Sequence, residues 1–178
     1  MRKVHGGLIL VATALLLLQG CSGGAVRDGE APVDEQSIGT ESGGVEVGVG
    51  TFNGVPIAEA LNDPNSILSR RVFYFDFNSS ELSAEDREAL TTHAQLLAAN
   101  PTLAVVLEGH ADERGSREYN LALGERRAKA IEQVLNLQGV DREQIQVISF
   151  GEERPVALGH DEQAWRLNRR VELLYSGY

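Results

Sequence analysis

The hydrophobic pattern divides the chain into three unlike parts. From Leu8 to Leu18 the run is almost unbroken and has no polar face; Met1-Arg2-Lys3-Val4-His5 precedes it and Gln19-Gly20-Cys21 follows. A basic start before an apolar run of this length reads as a secretory signal peptide over 1–20, too short for a comfortable membrane-crossing helix. From Ser22 to about Ser69 apolar positions are scattered, and glycines stand at 23, 24, 29, 39, 43, 44, 48, 50 and 54. Asp28, Glu30, Asp34, Glu35, Glu41 and Glu46 lie among them, and Arg27 is the only basic residue of that stretch. Such a segment buries too little apolar surface to offset the entropy of ordering it. Residues 21–61 therefore read as a flexible acidic tether, and 62–178 as the domain it carries. A Gly-rich coil of 48 residues has a root-mean-square span of roughly 35–40 Å, and on the order of 160 Å when pulled straight.

The third part is periodic. Arg71-Val72-Phe73-Tyr74-Phe75-Asp76-Phe77 is aromatic and β-branched, which predicts a strand. Ser83 opens a helix with Glu85 and Asp86 in its first turn, where the dipole favours them. Ala89, Leu90, Leu96 and Leu97 give that helix its apolar face, and Asn100-Pro101 ends it. Leu103-Ala104-Val105-Val106-Leu107 is continuously apolar and predicts a central strand buried on both faces. A polar loop, Gly109 to Ser116, leads into a long helix to about Gln138, closed by Gly139. Ile145–Phe150 is a third strand, a short helix falls near Asp161–Asn168, and Val171–Tyr175 is the last strand. The order βαβαβ(α)β predicts an α/β domain, a two-layer α+β sandwich with helices packed on one mixed sheet.

Charge and cysteine content narrow the function. Sixteen Lys and Arg against 26 Asp and Glu give 178 residues a net charge of −10, the wrong field for a nucleic-acid backbone. A single cysteine excludes an internal disulfide framework and any zinc site of several thiolates. Its position explains it: Leu18-Gln19-Gly20-Cys21 resembles the bacterial lipobox, although Gln19 replaces the usual small residue. That resemblance makes Cys21 the first residue of the mature chain, carrying acyl chains (palmitate among them) as a membrane anchor. Each buried CH₂ contributes ~0.8 kcal/mol, so several chains hold where one binds marginally. Ser22 in place of Asp after the cysteine implies sorting to the outer membrane.

Candidate chemistry gathers after the most apolar strand, at the end of a strand where α/β folds bind ligands. Glu108-Gly109-His110-Ala111-Asp112-Glu113-Arg114-Gly115 packs three acidic residues, a histidine and an arginine into eight positions with two glycines. On the following helix Asn120, Leu123, Arg127, Ile131, Val134 and Leu135 share one face. Arg127 is thus an obligate cation at the top of an apolar stripe, and a buried charge needs partners. The nearest candidate carboxylates are Asp112 and Asp76. Two readings stay open: an internal Arg127–Asp112 salt bridge, or a slot in which a carboxylate takes an ammonium and a guanidinium fork takes a carboxylate.

Four segments carry a family resemblance: Gly109-His110-Ala111-Asp112-Glu113-Arg114-Gly115, Tyr119 to Ala128, Gly151-Glu152-Glu153-Arg154-Pro155 and Asn168-Arg169-Arg170-Val171-Glu172. They are similar to the OmpA-like peptidoglycan-binding domain and closest to its Pal branch, the lipoproteins of the Tol–Pal system; Asp63-Pro64-Asn65-Ser66 and Tyr74-Phe75-Asp76-Phe77 agree. The resemblance covers 62–178. It implies a non-enzymatic, cofactor-free anchor that binds the diaminopimelate side chain of the peptidoglycan stem peptide. Asp112 and Arg127 match the binding aspartate and arginine, with supporting contacts from Asn120, Leu123, Phe77 and Asn78; many Pal sequences carry Asp at position 78. One of Arg169 and Arg170 is assigned a wall role. The resemblance further implies TolB and TolA as partners, with roles in envelope integrity and in outer-membrane constriction at cell division.

A hydrolase or metal site built from His110, Asp112 and His160 lacks a third ligand of recognisable spacing and a nucleophile. Trp165 reads as core or partner surface. The runners-up are an outer-membrane protein or flagellar-stator subunit with the same domain, against which stands the lack of barrel strands and of a second apolar span, and an OmpA-domain lipoprotein outside Tol–Pal.

Overall fold

The computed structural model describes residues 50–178. The apolar leader, Cys21 and most of the acidic segment lie outside the described residues. Among those described, no helix is long and apolar enough to cross a membrane.

Folding begins earlier than position 62. Strands β1 (Thr51–Phe52) and β2 (Val55–Pro56) pair as a hairpin, closed by Asn53 and Gly54 at φ 52° and 80°. This Asn-Gly pair suits a two-residue turn with two positive φ angles. Helix α1 (Ile57–Asn62) follows and buries Ile57, Ala60 and Leu61. Residues 51–61, expected in the tether, thus belong to the domain, because three apolar side chains at helical spacing give them a face to bury.

The four-stranded sheet has the order Val72–Tyr74, Arg170–Tyr175, Val105–His110, Ile145–Gly151. Strand β3 (Val72–Tyr74) is shorter than the aromatic run predicts. Phe75 still donates its N–H to Arg169 O, but the carbonyls of Asp76 and Ser79 then turn to a buried guanidinium and Asn78 takes φ 53°. Helix α2 (Ala84–Ala99) starts at Ser83, whose Oγ accepts from Asp86 N–H at 3.0 Å. Its expected apolar positions are buried, together with His93 and Ala94. Strand β4 (Val105–His110) runs parallel to β5 (Ile145–Gly151) across helix α3 (Arg117–Leu137). Helix α4 (Glu162–Asn168) leads into β6 (Arg170–Tyr175), which is antiparallel to both β3 and β4.

Strand β4 is not buried on both faces. Val105 and Leu107 point into the core, whereas Val106 and Glu108 are only half-buried, beside Leu174 and Glu172 of β6. A continuous apolar run normally means two covering layers; here the helix layer lies on one side. The expected two-layer α/β sandwich with one mixed sheet is the fold observed.

At one point helix and strand touch backbone to backbone. A Cβ on Gly109 of β4 would stand 2.0 Å from Gly124 O of α3, and a Cβ on Gly124 would stand 2.5 Å from Ser149 Oγ. Two glycines therefore set how closely α3 lies on the end of β4.

His93 sits in the core, its Nδ1 2.8 Å from Tyr175 OH and its Nε2 3.0 Å from Arg70 O. The carbonyl can only accept, so Nε2 carries the proton and Nδ1 accepts from the tyrosine. Burial lowers the His93 pKa from 6.5 to about 4, and the ring is neutral in the folded domain. Below pH 6.5 the unfolded chain binds a proton that the folded one refuses until about pH 4, so stability is complete above that window and falls within it. Burial shifts His110 the same way, also to about 4. Urea titrations should show a loss on the order of 3 kcal/mol for His93 between the two limits. The slope should flatten in His93→Gln; an unchanged slope in that variant would remove His93 from the account.

Candidate functional site

The end of β4, the first turns of α3 and the loop after β3 meet at a cleft of about 270 Å³. Phe77, Asn78, Asp112, Arg114, Gly115, Tyr119, Asn120 and Leu123 line it. Of the six binding residues read from sequence, the structure brings together five: Phe77, Asn78, Asp112, Asn120 and Leu123. Ser116 caps α3, its Oγ accepting from Tyr119 N–H at 3.2 Å, and this aims the next turn at the cleft. Asn120 is buried and donates to Glu152. Tyr119 OH donates to Asn78 Oδ1, which joins the two walls.

Asp112 is only 4% exposed. Its Oδ1 accepts from Arg114 N at 3.1 Å and Arg114 Nε at 3.2 Å. Its Oδ2 accepts from Arg114 Nη2 at 2.7 Å and Arg169 Nη1 at 3.3 Å. Burial alone would raise this carboxyl, but the bonds from Arg114 and Arg169 outweigh it and hold Asp112 below the usual carboxylate range. Arg169 is itself 4% exposed. It also donates to Phe75 O at 2.9 Å and to Glu162 Oε1 at 2.7 Å, and Glu162 Oε2 stands 3.5 Å from Arg114 Nη1. Two carboxylates and two guanidiniums thus form a closed ring of alternating sign.

The sixth residue, Arg127, is placed differently. It lies one turn along α3 from Leu123, is fully buried, and is not among the lining residues. Its partners are carbonyls: Ser79 O at 2.8 Å, His110 O at 2.8 Å and Asp76 O at 3.0 Å. Neither Asp112 nor the Asp76 carboxylate pairs with it directly. Burial lowers its pKa to about 10, against the opposing pull of Asp112, so it remains charged at neutral pH. One side chain thereby ties the loop of Phe77 and Asn78 to the end of β4, from which Asp112 follows.

Arg114 is the residue the sequence reading missed. Its guanidinium is stacked between Phe77 and Trp165, 4.1 and 4.0 Å from the two ring centroids. The available signal was its place two residues after Asp112, the spacing at which an Asp side chain meets a following backbone N–H. Of the two later arginines, Arg169 stands against Asp112, whereas Arg170 pairs with Glu172 at 2.7 Å.

The histidines do not converge on Asp112. His110 stacks on Phe150, ring centroids 5.7 Å apart, while exposed His160 meets Glu113 at 2.8 Å beside the Trp165 indole N–H. Among the described residues no three His, Cys, Asp or Glu side chains cluster to hold a metal. A wider groove of about 620 Å³ at the far end of α3 contains none of these residues.

A model of the OmpA family matches residues 74–169. A peptidoglycan-associated lipoprotein of Pseudomonas aeruginosa is 45% identical over 168 residues, covering 94% of this chain and 95% of its own. One from Legionella pneumophila is 37% identical, with 94% and 92% covered. Among solved structures, the peptidoglycan-associated lipoprotein from Burkholderia pseudomallei matches with a TM-score of 0.64 at 48% identity, covering 65% of this chain and 98% of that one. The C-terminal domain of Helicobacter pylori MotB shares the fold, with TM-score 0.55, 22% identity, and 60% and 84% covered.

Proposed function

Because the chain belongs to the OmpA family and, within it, to the peptidoglycan-associated lipoproteins, we propose that it is a non-enzymatic anchor that binds peptidoglycan through the diaminopimelate side chain of the stem peptide. The observation that carries this reading is the cleft at the end of β4, where a charged, nearly buried Asp112 stands among Phe77, Asn78, Asn120 and Leu123. Diaminopimelate ends in an ammonium and a carboxylate on one carbon. Asp112 takes the ammonium, while Arg127, buried behind the cleft, contributes positive charge at a distance and holds the walls in place through its three carbonyl bonds. Phe77 and Leu123 cover the methylene stem.

Charge-assisted hydrogen bonds each net ~1.5–3 kcal/mol after exchange with water. Two of them correspond to dissociation constants between about 10 mM and tens of micromolar. Single contacts are therefore weak, and persistence comes from many sites on one polymer and from confinement at a membrane. Lipid on Cys21 provides that confinement at the outer membrane, with the domain facing the periplasm. Membership of this lipoprotein family supports a place in the Tol–Pal system, with TolB and TolA as partners, in envelope integrity and cell division.

The test is calorimetric titration of the full-length protein in detergent with a diaminopimelate-containing stem tripeptide and with its lysine-containing counterpart. Binding of the first in preference to the second is the expected result. Heat from neither would mean that the cleft serves protein partners instead.

A further inference from the structure

The ring of charge around Asp112 leaves no free face for an incoming ammonium. Both carboxylate oxygens are already occupied, and of the two guanidiniums that hold them only one has room to leave. Arg169 is 4% exposed and fixed by Phe75 O and Glu162. The Arg114 side chain is 30% exposed, and its other polar contact is Glu162 at 3.5 Å. Building on the function proposed above, we propose that Arg114 is a specificity-determining residue: an internal cation that Asp112 exchanges for a ligand ammonium only when the ligand also brings a carboxylate for Arg114 to hold.

Charge must balance around Asp112 and Arg169, each only 4% exposed. Asp112 and Glu162 balance Arg114 and Arg169, with Arg127 adding a further positive charge nearby. A simple amine that displaced Arg114 would leave three guanidiniums and an ammonium around two carboxylates. A zwitterion adds no net charge: its ammonium replaces Arg114 on Asp112, and its carboxylate receives the fork that Arg114 gives up. The geometry allows the swap without unstacking. Phe77 and Trp165 lie at 4.1 and 4.0 Å from the guanidinium carbon, and a planar cation held between rings can slide and still keep its face contacts. Arg suits this role and Lys does not, since a bidentate fork matches one carboxylate and then another.

The proposal separates amine from zwitterion, so the readout is a ratio. The full-length protein in detergent and its Arg114→Gln and Arg114→Lys variants are titrated with the diaminopimelate tripeptide and the lysine tripeptide, which differ by one carboxylate. Arg114→Gln should bind the lysine peptide more tightly and the diaminopimelate peptide more weakly than the parent, lowering the discrimination ratio about tenfold or more, the worth of one charge-assisted bond. Arg114→Lys should fall between the two. Thermal melting confirms that each variant is folded. A parent that discriminates and an Arg114→Gln variant with the same ratio, whether both affinities rise, fall or stay, would overturn the role of Arg114 and leave the proposed function standing. A parent that binds neither peptide would instead remove the function on which the inference rests.

Discussion

Asp112→Asn should no longer sediment with purified peptidoglycan while remaining folded. The substitution keeps the side-chain shape and an oxygen that can accept from Arg114, but it removes the only negative charge lining the cleft. An arriving ammonium would then lose a charge-assisted bond of ~1.5–3 kcal/mol and face Arg114 and Arg169 with only Glu162 to balance them. At single-site affinities already weak, a loss of 100-fold or more takes binding below detection. The fold survives because Arg169 keeps Glu162 and Phe75 O; a drop of about 1–3 kcal/mol is expected from the weakened pair. Sedimentation at parental levels would remove Asp112 from the site. Arg127 makes a poorer probe, since its loss would strand three carbonyls as well as remove a charge.

Gly109→Ala should cost at least about 3 kcal/mol and can abolish folding, beyond the ~1–3 kcal/mol of ordinary overpacking. The new methyl would lie 2.0 Å from Gly124 O, and neither atom belongs to a side chain that could rotate away. Helix α3 would have to lift from the sheet, and domains of this kind have only ~5–15 kcal/mol to lose. The urea midpoint measures this directly. A parental midpoint would show that α3 does not depend on this contact. If a folded fraction persists, its peptide binding should also suffer, because Asp112 follows three residues after Gly109 and Asn120 and Leu123 ride on the displaced helix.

What could be read in the sequence was local. Ser83 as a cap, the 3.6-residue stripe of α3, and the end-of-strand position of Asp112 all follow from spacing along one segment, and five cleft residues came from such segments aligned with a known family. Four features escaped, three of them because their causes are not local. The hairpin and α1 were submerged in a glycine-rich, acidic average, although Asn53-Gly54 and the Ile57, Ala60, Leu61 spacing were present in the sequence. Strand β4 reads as doubly buried, since an apolar run does not show how many layers will cover it. Arg127 reads as seeking a carboxylate, yet its partners are backbone carbonyls, which every residue possesses and no sequence pattern marks. Arg114 escaped for the same reason: its sandwich needs Phe77 and Trp165, which only the fold brings together.

The entry of the chain also has a mechanical meaning. Gly50 lies against Asn100, which closes α2 just before β4 begins, whereas the cleft opens where β4 ends. The two points therefore occupy opposite ends of one strand of six residues, about 20 Å long at 3.3 Å each. A pull between Gly50 and the cleft would be directed along β4, but Gly50 is joined covalently to the β1–β2 hairpin and α1, so these short elements take the load first. The load then reaches the start of β3, which like β4 is antiparallel to β6, while the cleft holds the residues after its far end; ladder bonds lie across the strands, so the β3–β6 pair is sheared instead of peeled. Resistance to forced unfolding is governed by the unfolding rate, and this placement of entry and cleft favours a slow one.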